Sequence, residues 1–292
     1  MSEQIVLQSK SKVNLYLEIK QQQENGLHEL ESLFYPLENP CDYLYIYPQQ
    51  NHKGLRVICP VTALQKENIL HSTYNTFVNN TGLNPGITLY LEKNTPMGAG
   101  LGGGSSNAAV FLKFLWKYFE RHIDKTSLNI RDLALSLGSD VPFFLYDSPA
   151  WVSGVGDGIE SGDIDLRGFF LLVVLPDIFI STAEAYKAWD DSFPERKCFS
   201  ESQSLLTREG NSNIKKKFAT DIWMFNSFEQ VVFPTYPELR LIKSELLQFG
   251  ASGVALSGSG ASISALFRNG AEAEKASSWL TERGIKAYLN SL

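Results

Sequence analysis

Apolar and polar residues alternate through much of the first 60 residues, in segments such as VNLYLEI, DYLYIYP and LRVICP. A period of two predicts β-strands, and Asn25-Gly26 between two of these segments predicts a tight turn. From residue 67 the apolar positions take helical spacing, and Gly82 is the expected end of that helix. The chain therefore opens with several strands followed by a helix.

The rest of the chain also mixes the two periods. A predicted strand at Ile87–Lys93 leads into a glycine-rich segment, which precedes an apolar helical pattern and then a short helix ending near Gly138. FFLLVVLP predicts a buried strand, and the polar stretch Asp190–Lys217 predicts a flexible or helical surface excursion. The last part predicts, in order, a helix at Glu238–Phe249, the strand GVAL, the loop SGSGAS, the strand ISALF, a helix at Glu272–Arg283 and the strand IKAYL.

Length and composition indicate a globular protein with mixed α and β structure. A single hydrophobic core stops growing near ~250–300 residues, and this chain has 292 residues, of which 43% are hydrophobic and 20% are charged. We therefore expect two modest domains with a boundary near residue 155, the first over residues 1–155 and the second over residues 156–292.

Charge and cysteine content exclude several classes of function. A formal net charge of −6 argues against a long basic groove for nucleic acid. The longest strongly apolar run, Phe169–Leu175, has seven residues, far fewer than the ~20 that span a bilayer. No apolar export signal begins the sequence, so we expect a cytoplasmic protein. Cys41, Cys59 and Cys198 are widely spaced and odd in number, which fits neither a disulfide framework nor a zinc site, and they are interpreted as buried or incidental thiols.

The segment PMGAGLGGGSSNAA carries the clearest chemical signal. Its five glycines, Gly98, Gly100, Gly102, Gly103 and Gly104, lie between a predicted strand and a predicted helix. Glycine adopts positive φ and has no Cβ, so several backbone N–H groups can converge on one anion. A helix beginning at Ser105 or Ser106 would add its free N–H groups and its dipole. The segment therefore predicts a phosphate-binding loop.

Two common phosphate motifs fit this loop poorly, and a flexible linker or plain turn would not need so many glycines. Gly98, Gly100 and Gly103 match G-x-G-x-x-G, but the following helix leads into another helical pattern rather than into the strand that a dinucleotide fold requires. The P-loop motif fails because Gly104, not lysine, follows Gly103.

Five segments, in order along the chain, resemble the signature motifs of the GHMP kinases, the superfamily of galactokinase, homoserine kinase and mevalonate kinase. The glycine-rich segment is similar to the ATP-binding motif of that family. The other four are SKVNLYL with Lys12 and Asn14, NGLHELESLF with His28, LGSDVPFFL with Asp140, and LSGSGAS with Gly258 and Gly260. The family's opening Pro-Ala is replaced here by Lys10 and Ser11.

Each residue also has a simpler structural interpretation. Lys12 alone is typical of a solvated surface lysine, and Asp140 could cap a helical turn that starts at Pro142. His28 could be a turn residue, and SGSGAS could be an ordinary connection between two strands. Five matches in family order favour the functional interpretation of each.

The resemblance implies an α+β fold of two domains with the active site in the cleft between them, and a kinase that uses ATP and Mg²⁺. It implies that Asp140 orients or deprotonates the attacking hydroxyl, that Lys12 stabilises the developing charge, and that Ser105 or Ser106 helps to place Mg²⁺. The residues that it assigns to ATP are Pro96, Met97, Gly98, Ala99, Gly100, Leu101, Gly102, Gly103, Gly104, Ser105 and Ser106 around the phosphates, with Asn68 and Lys93 near adenine.

Within the family the motifs are most similar to a branch that phosphorylates a cytidine diphosphate sugar-alcohol of the non-mevalonate isoprenoid pathway. The residues that this implies for the acceptor are Asn14, His28, Thr182, Tyr186, Gly258, Ser259 and Gly260, with Phe34 in the same pocket. The family's Gly-Tyr-His motif has Leu27 in place of tyrosine. One aromatic face for the cytosine is therefore replaced by an aliphatic side chain, which removes about 0.5–1.5 kcal/mol of stacking preference.

Two other functions fit the same motifs. One is another small-molecule GHMP kinase, of the mevalonate or sugar type. The other is a nucleotide-binding protein that has lost phosphoryl transfer, although both Lys12 and Asp140 are present. A small-molecule acceptor, no nucleic acid, no membrane and a monomer or homodimer are expected in either kinase interpretation.

Overall fold

The computed structural model describes residues 4–61, 64, 68–194 and 224–292. Its strands are β1 (Ile5–Gln22), β2 (His28–Gln49), β3 (Gly54–Ile58), β4 (Gly86–Glu92), β5 (Ala150–Gly154), β6 (Gly158–Ser161), β7 (Phe170–Leu175), β8 (Phe225–Asn226), β9 (Gly253–Leu256), β10 (Ile263–Phe267) and β11 (Lys286–Ser291). Its α-helices are α1 (Ile69–Thr81), α2 (Gly103–Tyr118), α3 (Ile130–Leu137), α4 (Thr182–Ser192), α5 (Glu229–Thr235), α6 (Pro237–Gln248) and α7 (Gly270–Glu282), with 3₁₀ turns at Glu120–His122 and Pro142–Leu145.

The chain forms two compact units, and each is discontinuous in sequence. The first unit comprises Met1–Lys12, Pro36–Met97 and Gly102–Asp147, and the second comprises Val13–Tyr35, Gly98–Leu101 and Ser148–Leu292. The long strands β1 and β2 contribute residues to both. The boundary near residue 155 stays a prediction.

In the first unit, strands β3, β4, β2 and β1 lie side by side in that order. β3 runs parallel to β4, and β4 runs antiparallel to β2, with Tyr43 opposite Glu92. Alternate residues of these strands pack against α1 and α2, and Phe77 and Phe111 are fully buried in this core. The alternation in DYLYIYP and ITLYLEK therefore corresponds to one buried face of a sheet covered by helices.

The second unit contains an antiparallel sheet in the order β11, β7, β10, β9. β7 lies between two neighbours, with Val174 opposite both Ile263 and Ala287. Its residues from Leu171 to Leu175 are all buried, so both faces of the strand are shielded from water, which explains its unbroken apolar sequence. Helices α5, α6 and α7 contribute side chains to the core on this sheet. Further strand pairs of this unit join Phe34 of β2 to Ala150 of β5, and Tyr16 of β1 to Phe225 of β8.

Most of the predicted elements are confirmed, and α1 ends at Gly82 in the left-handed conformation. The predicted start of α2 at Ser105 or Ser106 is wrong, because Gly102 takes a left-handed conformation that allows the helix to begin at Gly103. Of the predicted excursion after Asp190, the first residues are the last turn of α4, and residues 195–217 lie outside the described part of the chain.

Of the three cysteines, Cys41 and Cys59 are both buried. Cys198 lies outside the described residues.

Candidate active site

The glycine-rich loop joins β4 to α2, and its backbone takes conformations that favour glycine. Gly98, Gly100 and Gly102 have φ angles of 67°, 73° and 67°. Gly102 is the N-cap of α2, and no side chain caps the helix there. The N–H groups of the first turn have no acceptor within the helix. Together with the positive end of the helix dipole, they form a site suited to phosphate.

The surroundings of these glycines differ from one position to the next. A Cβ on Gly102 would lie 2.8 Å from the Phe144 ring and 3.2 Å from Cγ of Lys12, and a Cβ on Gly103 would lie 2.8 Å from Thr95. A Cβ on Gly104 would meet nothing within 4 Å. The helix start is therefore packed on one side, close to Lys12, and open at Gly104.

Lys12 and Asp140 are brought together in the first unit. The Lys12 Nζ lies 3.6 Å from Oδ2 of Asp140, and Lys12 is 3% exposed. Burial lowers the pKa of Lys12, while the charge of Asp140 and its hydrogen bond act in the opposite direction. The interpretation of Lys12 as a solvated surface lysine is wrong.

Asp140 lies between α3 and the 3₁₀ turn that begins at Pro142. The N-cap of that turn is Val141, and no side chain caps it, so the interpretation of Asp140 as a helix cap is also wrong. Its carboxylate pairs with Lys12 and its side chain is 33% exposed. A carboxylate that is accessible on one side and paired with a buried ammonium on the other can orient a hydroxyl and accept its proton.

The second glycine loop connects β9 to β10 in the second unit, which confirms that SGSGAS joins two adjacent antiparallel strands. Asn14 is buried, and its Oδ1 accepts a hydrogen bond from the Gly258 N–H at 2.8 Å. Ser257 Oγ donates to the Gly100 carbonyl at 3.0 Å. The segment Gly98–Leu101 of the first loop is therefore held against the second loop.

Several residues predicted for the acceptor also come together in the second unit. The His28 and Tyr186 rings stack with centroids 4.6 Å apart at 22°. His28 Nε2 lies 2.6 Å from Oδ1 of Asp190, and Thr182 Oγ1 lies 2.9 Å from Ser259 Oγ. One face of Tyr186 is thus covered by His28, which is engaged by its neighbours rather than being only a turn residue.

Known proteins are similar to this chain over most of its length. A model described as "GHMP kinases N terminal domain" matches residues 68–148, and "GHMP kinases C terminal" matches residues 206–286. The 4-diphosphocytidyl-2-C-methyl-D-erythritol kinase of Lawsonia intracellularis is 39% identical over 272 residues, which cover 88% of this chain and 86% of the relative. The chain belongs to the GHMP kinase family. The kinase of the same name from Nitratidesulfovibrio vulgaris is 38% identical over 293 residues and covers 100% of both chains.

Solved structures agree with this family. A crystal structure of 4-(cytidine 5'-diphospho)-2C-methyl-D-erythritol kinase has a TM-score of 0.77 at 28% identity and covers 98% of each chain. The homoserine kinase of Cytophaga hutchinsonii, with a TM-score of 0.71 at 16% identity over 100% of this chain and 96% of its own, shows the shared fold. The predicted α+β GHMP kinase fold is confirmed, and the protein is a kinase whose phosphate donor is ATP. That its active site lies in a cleft between domains stays a prediction.

Both residues predicted near adenine in this GHMP kinase have local structural partners. Asn68 is the N-cap of α1, and its Oδ1 accepts from the Leu70 N–H at 3.1 Å. Lys93 forms a buried pair with Asp42, at 2.7 Å. Their contact with adenine stays a prediction.

Sequence reasoning missed Asp42 and Asp190, although each had a signal. Asp42 lies two and four residues before Leu44 and Ile46, which are both fully buried. Alternate residues of a strand share one face, so the alternation places the Asp42 carboxylate on the buried face. Asp190 follows Tyr186 by four residues, which places both on one face of α4. The four-residue spacing is informative only if the segment is a helix, and α4 was not predicted as one from the sequence.

The described part of this GHMP kinase contains neither a cluster of metal-binding side chains nor a membrane-spanning helix. No group of three or more His, Cys, Asp or Glu side chains there could hold a metal ion by itself. Among the same residues, no helix is long and apolar enough to span a bilayer.

The lowered pKa of Lys12 leads to a prediction about alkaline pH. If the Lys12 cation is the active form, it is lost as pH rises through a pKa below the ordinary 10.5. As pH is raised, kcat/KM should therefore begin to fall at a lower pH than it would if the active group were an exposed lysine. Lys12→Arg keeps its charge at these pH values, so the residual activity of that variant should lack this alkaline limb. The same limb in both enzymes would assign it to another group.

Proposed function

We propose that this GHMP kinase transfers the γ-phosphate of ATP to a hydroxyl of 4-diphosphocytidyl-2-C-methyl-D-erythritol, a reaction of the non-mevalonate pathway to isoprenoid precursors. The observation that carries the chemistry is the Lys12 ammonium, buried 3.6 Å from the Asp140 carboxylate and packed beside Gly102 at the start of α2. The acceptor is supported by the relatives, because kinases with this name are similar over the full length of the chain.

Phosphoryl transfer depends mainly on positioning and on stabilisation of charge. In this proposal the loop Pro96–Ser106 wraps the triphosphate, and the N–H groups at the start of α2 bind its oxygens. Asp140 orients the acceptor hydroxyl and takes its proton as the new O–P bond forms. Lys12 stabilises the negative charge on the hydroxyl oxygen and on the transferred group.

The residues present fit Mg²⁺ bound together with ATP. Magnesium keeps several waters and takes only one or two protein ligands when phosphates supply the others. The half-buried Ser105 in the first turn of α2 and the partly exposed Asp140 carboxylate are oxygen donors of the required type. When bound, the ion neutralises charge on the β- and γ-phosphates.

The acceptor contacts in this proposal come from the second unit. His28 and Tyr186 bind the cytosine, with Asn14, Thr182 and the Gly258–Gly260 loop near the rest of the acceptor, as the resemblance implies. Leu27 is 53% exposed beside His28 and supplies apolar contact in place of an aromatic ring. We also propose that the protein acts in the cytoplasm, as a monomer or homodimer.

A panel of acceptors tests the proposal. Purified enzyme with ATP and Mg²⁺ is given the cytidine acceptor, its uridine analogue, mevalonate, homoserine or galactose, and ADP release and a new phosphate monoester are measured. We expect turnover with the cytidine acceptor and kcat/KM at least about 10²-fold lower with the others. The Asp140→Asn enzyme gives the background rate of ADP release in the same assay. Turnover of mevalonate or a sugar without turnover of the cytidine acceptor would identify another kinase of the family. ATP binding with no product from any acceptor would indicate a protein that has lost transfer.

A further inference from the structure

The buried carboxylate of Asp42 collects four hydrogen bonds behind the phosphate loop. Asp42 lies on β2 in the first unit and is 0% exposed. Its oxygens accept from the N–H groups of Asn94 and Thr95 at 2.8 and 2.7 Å, from Nδ2 of Asn107 at 3.0 Å and from Nζ of Lys93 at 2.7 Å. A carboxylate with this many donors is held in one position.

These donors lie on both sides of the glycine-rich loop. Asn94 and Thr95 follow β4 and lead into the loop, and Asn107 is in the second turn of α2. Lys93 also donates to the Thr95 carbonyl. Asp42 therefore ties the strand side of the loop to its helix side.

Lys93 lies directly behind the first residue of α2. A Cβ on Gly103 would be 3.0 Å from the Lys93 Nζ, and the Lys93 side chain is 8% exposed. A carboxylate near a helix N-terminus stabilises the helix dipole. The same negative charge opposes the binding of a phosphate there, and water screens it little because it is buried. Lys93 cancels this charge while leaving the hydrogen bonds of Asp42 in place.

We propose that Asp42 and Lys93 act as a positioning pair for the triphosphate: Asp42 holds the loop, and Lys93 keeps the charge beneath it neutral. This inference rests on the proposed binding of ATP by the loop. It gives Lys93 a role in phosphate binding that does not depend on the base of the nucleotide, whereas direct contact with adenine would distinguish ATP from GTP.

Direct measurement of nucleotide binding tests the pair. Calorimetric titrations with ATP and GTP are made on the wild type, Lys93→Met, Asp42→Asn and the double variant. Lys93→Met should raise the Kd of both nucleotides by about tenfold or more, because it leaves a buried negative charge beneath the phosphates. The Kd of both nucleotides in the double variant should lie within about threefold of the wild-type value, because removal of both charges leaves no net charge beneath the phosphates. The KM of the acceptor should stay within about twofold in every variant that turns over.

Two further variants separate this role from loss of folding. Lys93→Arg keeps the charge and should keep the Kd. Lys243→Met breaks a partly buried pair with Glu229, at 2.6 Å in the second unit, and should leave nucleotide binding unchanged. Thermal melting checks that each variant is folded, and if Lys93→Met does not fold, Lys93→Arg and the double variant still test the charge balance.

Several outcomes would overturn the inference. The first is a loss of nucleotide affinity in the double variant equal to the sum of the two single losses. The second is a tenfold loss of affinity in Lys93→Arg, and the third is a loss in Lys93→Met for ATP but not for GTP. A wild-type protein that binds no ATP would instead refute the proposed function. Wild-type binding of ATP that Lys93→Met leaves unchanged would refute the positioning pair alone.

Discussion

Asp140→Asn is expected to reduce kcat by about 10²–10⁴-fold while the protein stays folded. Asparagine keeps the shape of the side chain but cannot accept the proton of the acceptor hydroxyl. It also removes the negative charge that lies 3.6 Å from the Lys12 ammonium in the wild type. Lys12→Met should cause a loss of similar size, because it removes the cation that stabilises the transferred group. Single-turnover rates with ATP and acceptor measure both losses, and circular dichroism checks the fold.

Lys10→Met is the matched control for these variants. Lys10 lies two residues before Lys12 on the same strand and pairs with Glu38 and Asp147 at 2.8 and 2.9 Å. Its side chain is 27% exposed, and partly exposed pairs of this type contribute little to stability. Its activity should stay within about threefold of the wild type. The proposed roles would be wrong if Asp140→Asn or Lys12→Met kept wild-type turnover, or if the Lys10 variant lost as much as they did.

Gly100→Ala should lower kcat/KM by about 10²-fold, the loss expected when reacting groups move by about an ångström. A Cβ at this position would lie 1.9 Å from the Ser257 carbonyl oxygen, which is backbone and has no flexible side chain to move aside. The two glycine loops would have to separate there. The hydrogen bond from Ser257 Oγ to the Gly100 carbonyl, at 3.0 Å, would be lost with them.

Gly82→Ala separates this contact from simple backbone strain. Gly82 has φ of 72°, against 73° for Gly100, and a Cβ on it would meet nothing within 4 Å. Both variants carry the cost of positive φ, about 1–2 kcal/mol, but only Gly100→Ala forces two backbone segments apart. The Gly82 variant should melt at lower temperature and keep its kcat/KM within about threefold. Equal losses of activity in the two variants would show that the loop contact has no part in catalysis.

The periodic elements could be predicted because their buried faces repeat along the sequence. The same reasoning missed β5 and β6, where glycines interrupt the alternation in WVSGVGDGIES. β5 forms because β2 pairs with it, with Phe34 opposite Ala150, and that partner is far away in sequence. The pattern within a short segment contains no information about such pairing.

The candidate site shows a similar limit. The motifs indicated Lys12 and Asp140 separately, but their proximity follows from the packing of β1 near the turn at Pro142 and not from local spacing. The start of α2 was misplaced because serine is a common helix cap, whereas here Gly102 begins the helix in a left-handed conformation without a side-chain cap. The acceptor contact predicted for Asn14 stays a prediction, and the structure shows its side chain accepting a hydrogen bond from the Gly258 N–H.

The first turn of α2 has a consequence for the search for ligands. Gly103 and Gly104 each weaken a helix by about 1 kcal/mol relative to alanine, and Gly102 provides no capping side chain. A bound phosphate would supply the acceptors that this turn lacks, so its occupant should stabilise the folded protein. A thermal-shift screen would therefore report compounds that fill the loop, without an acceptor or any turnover.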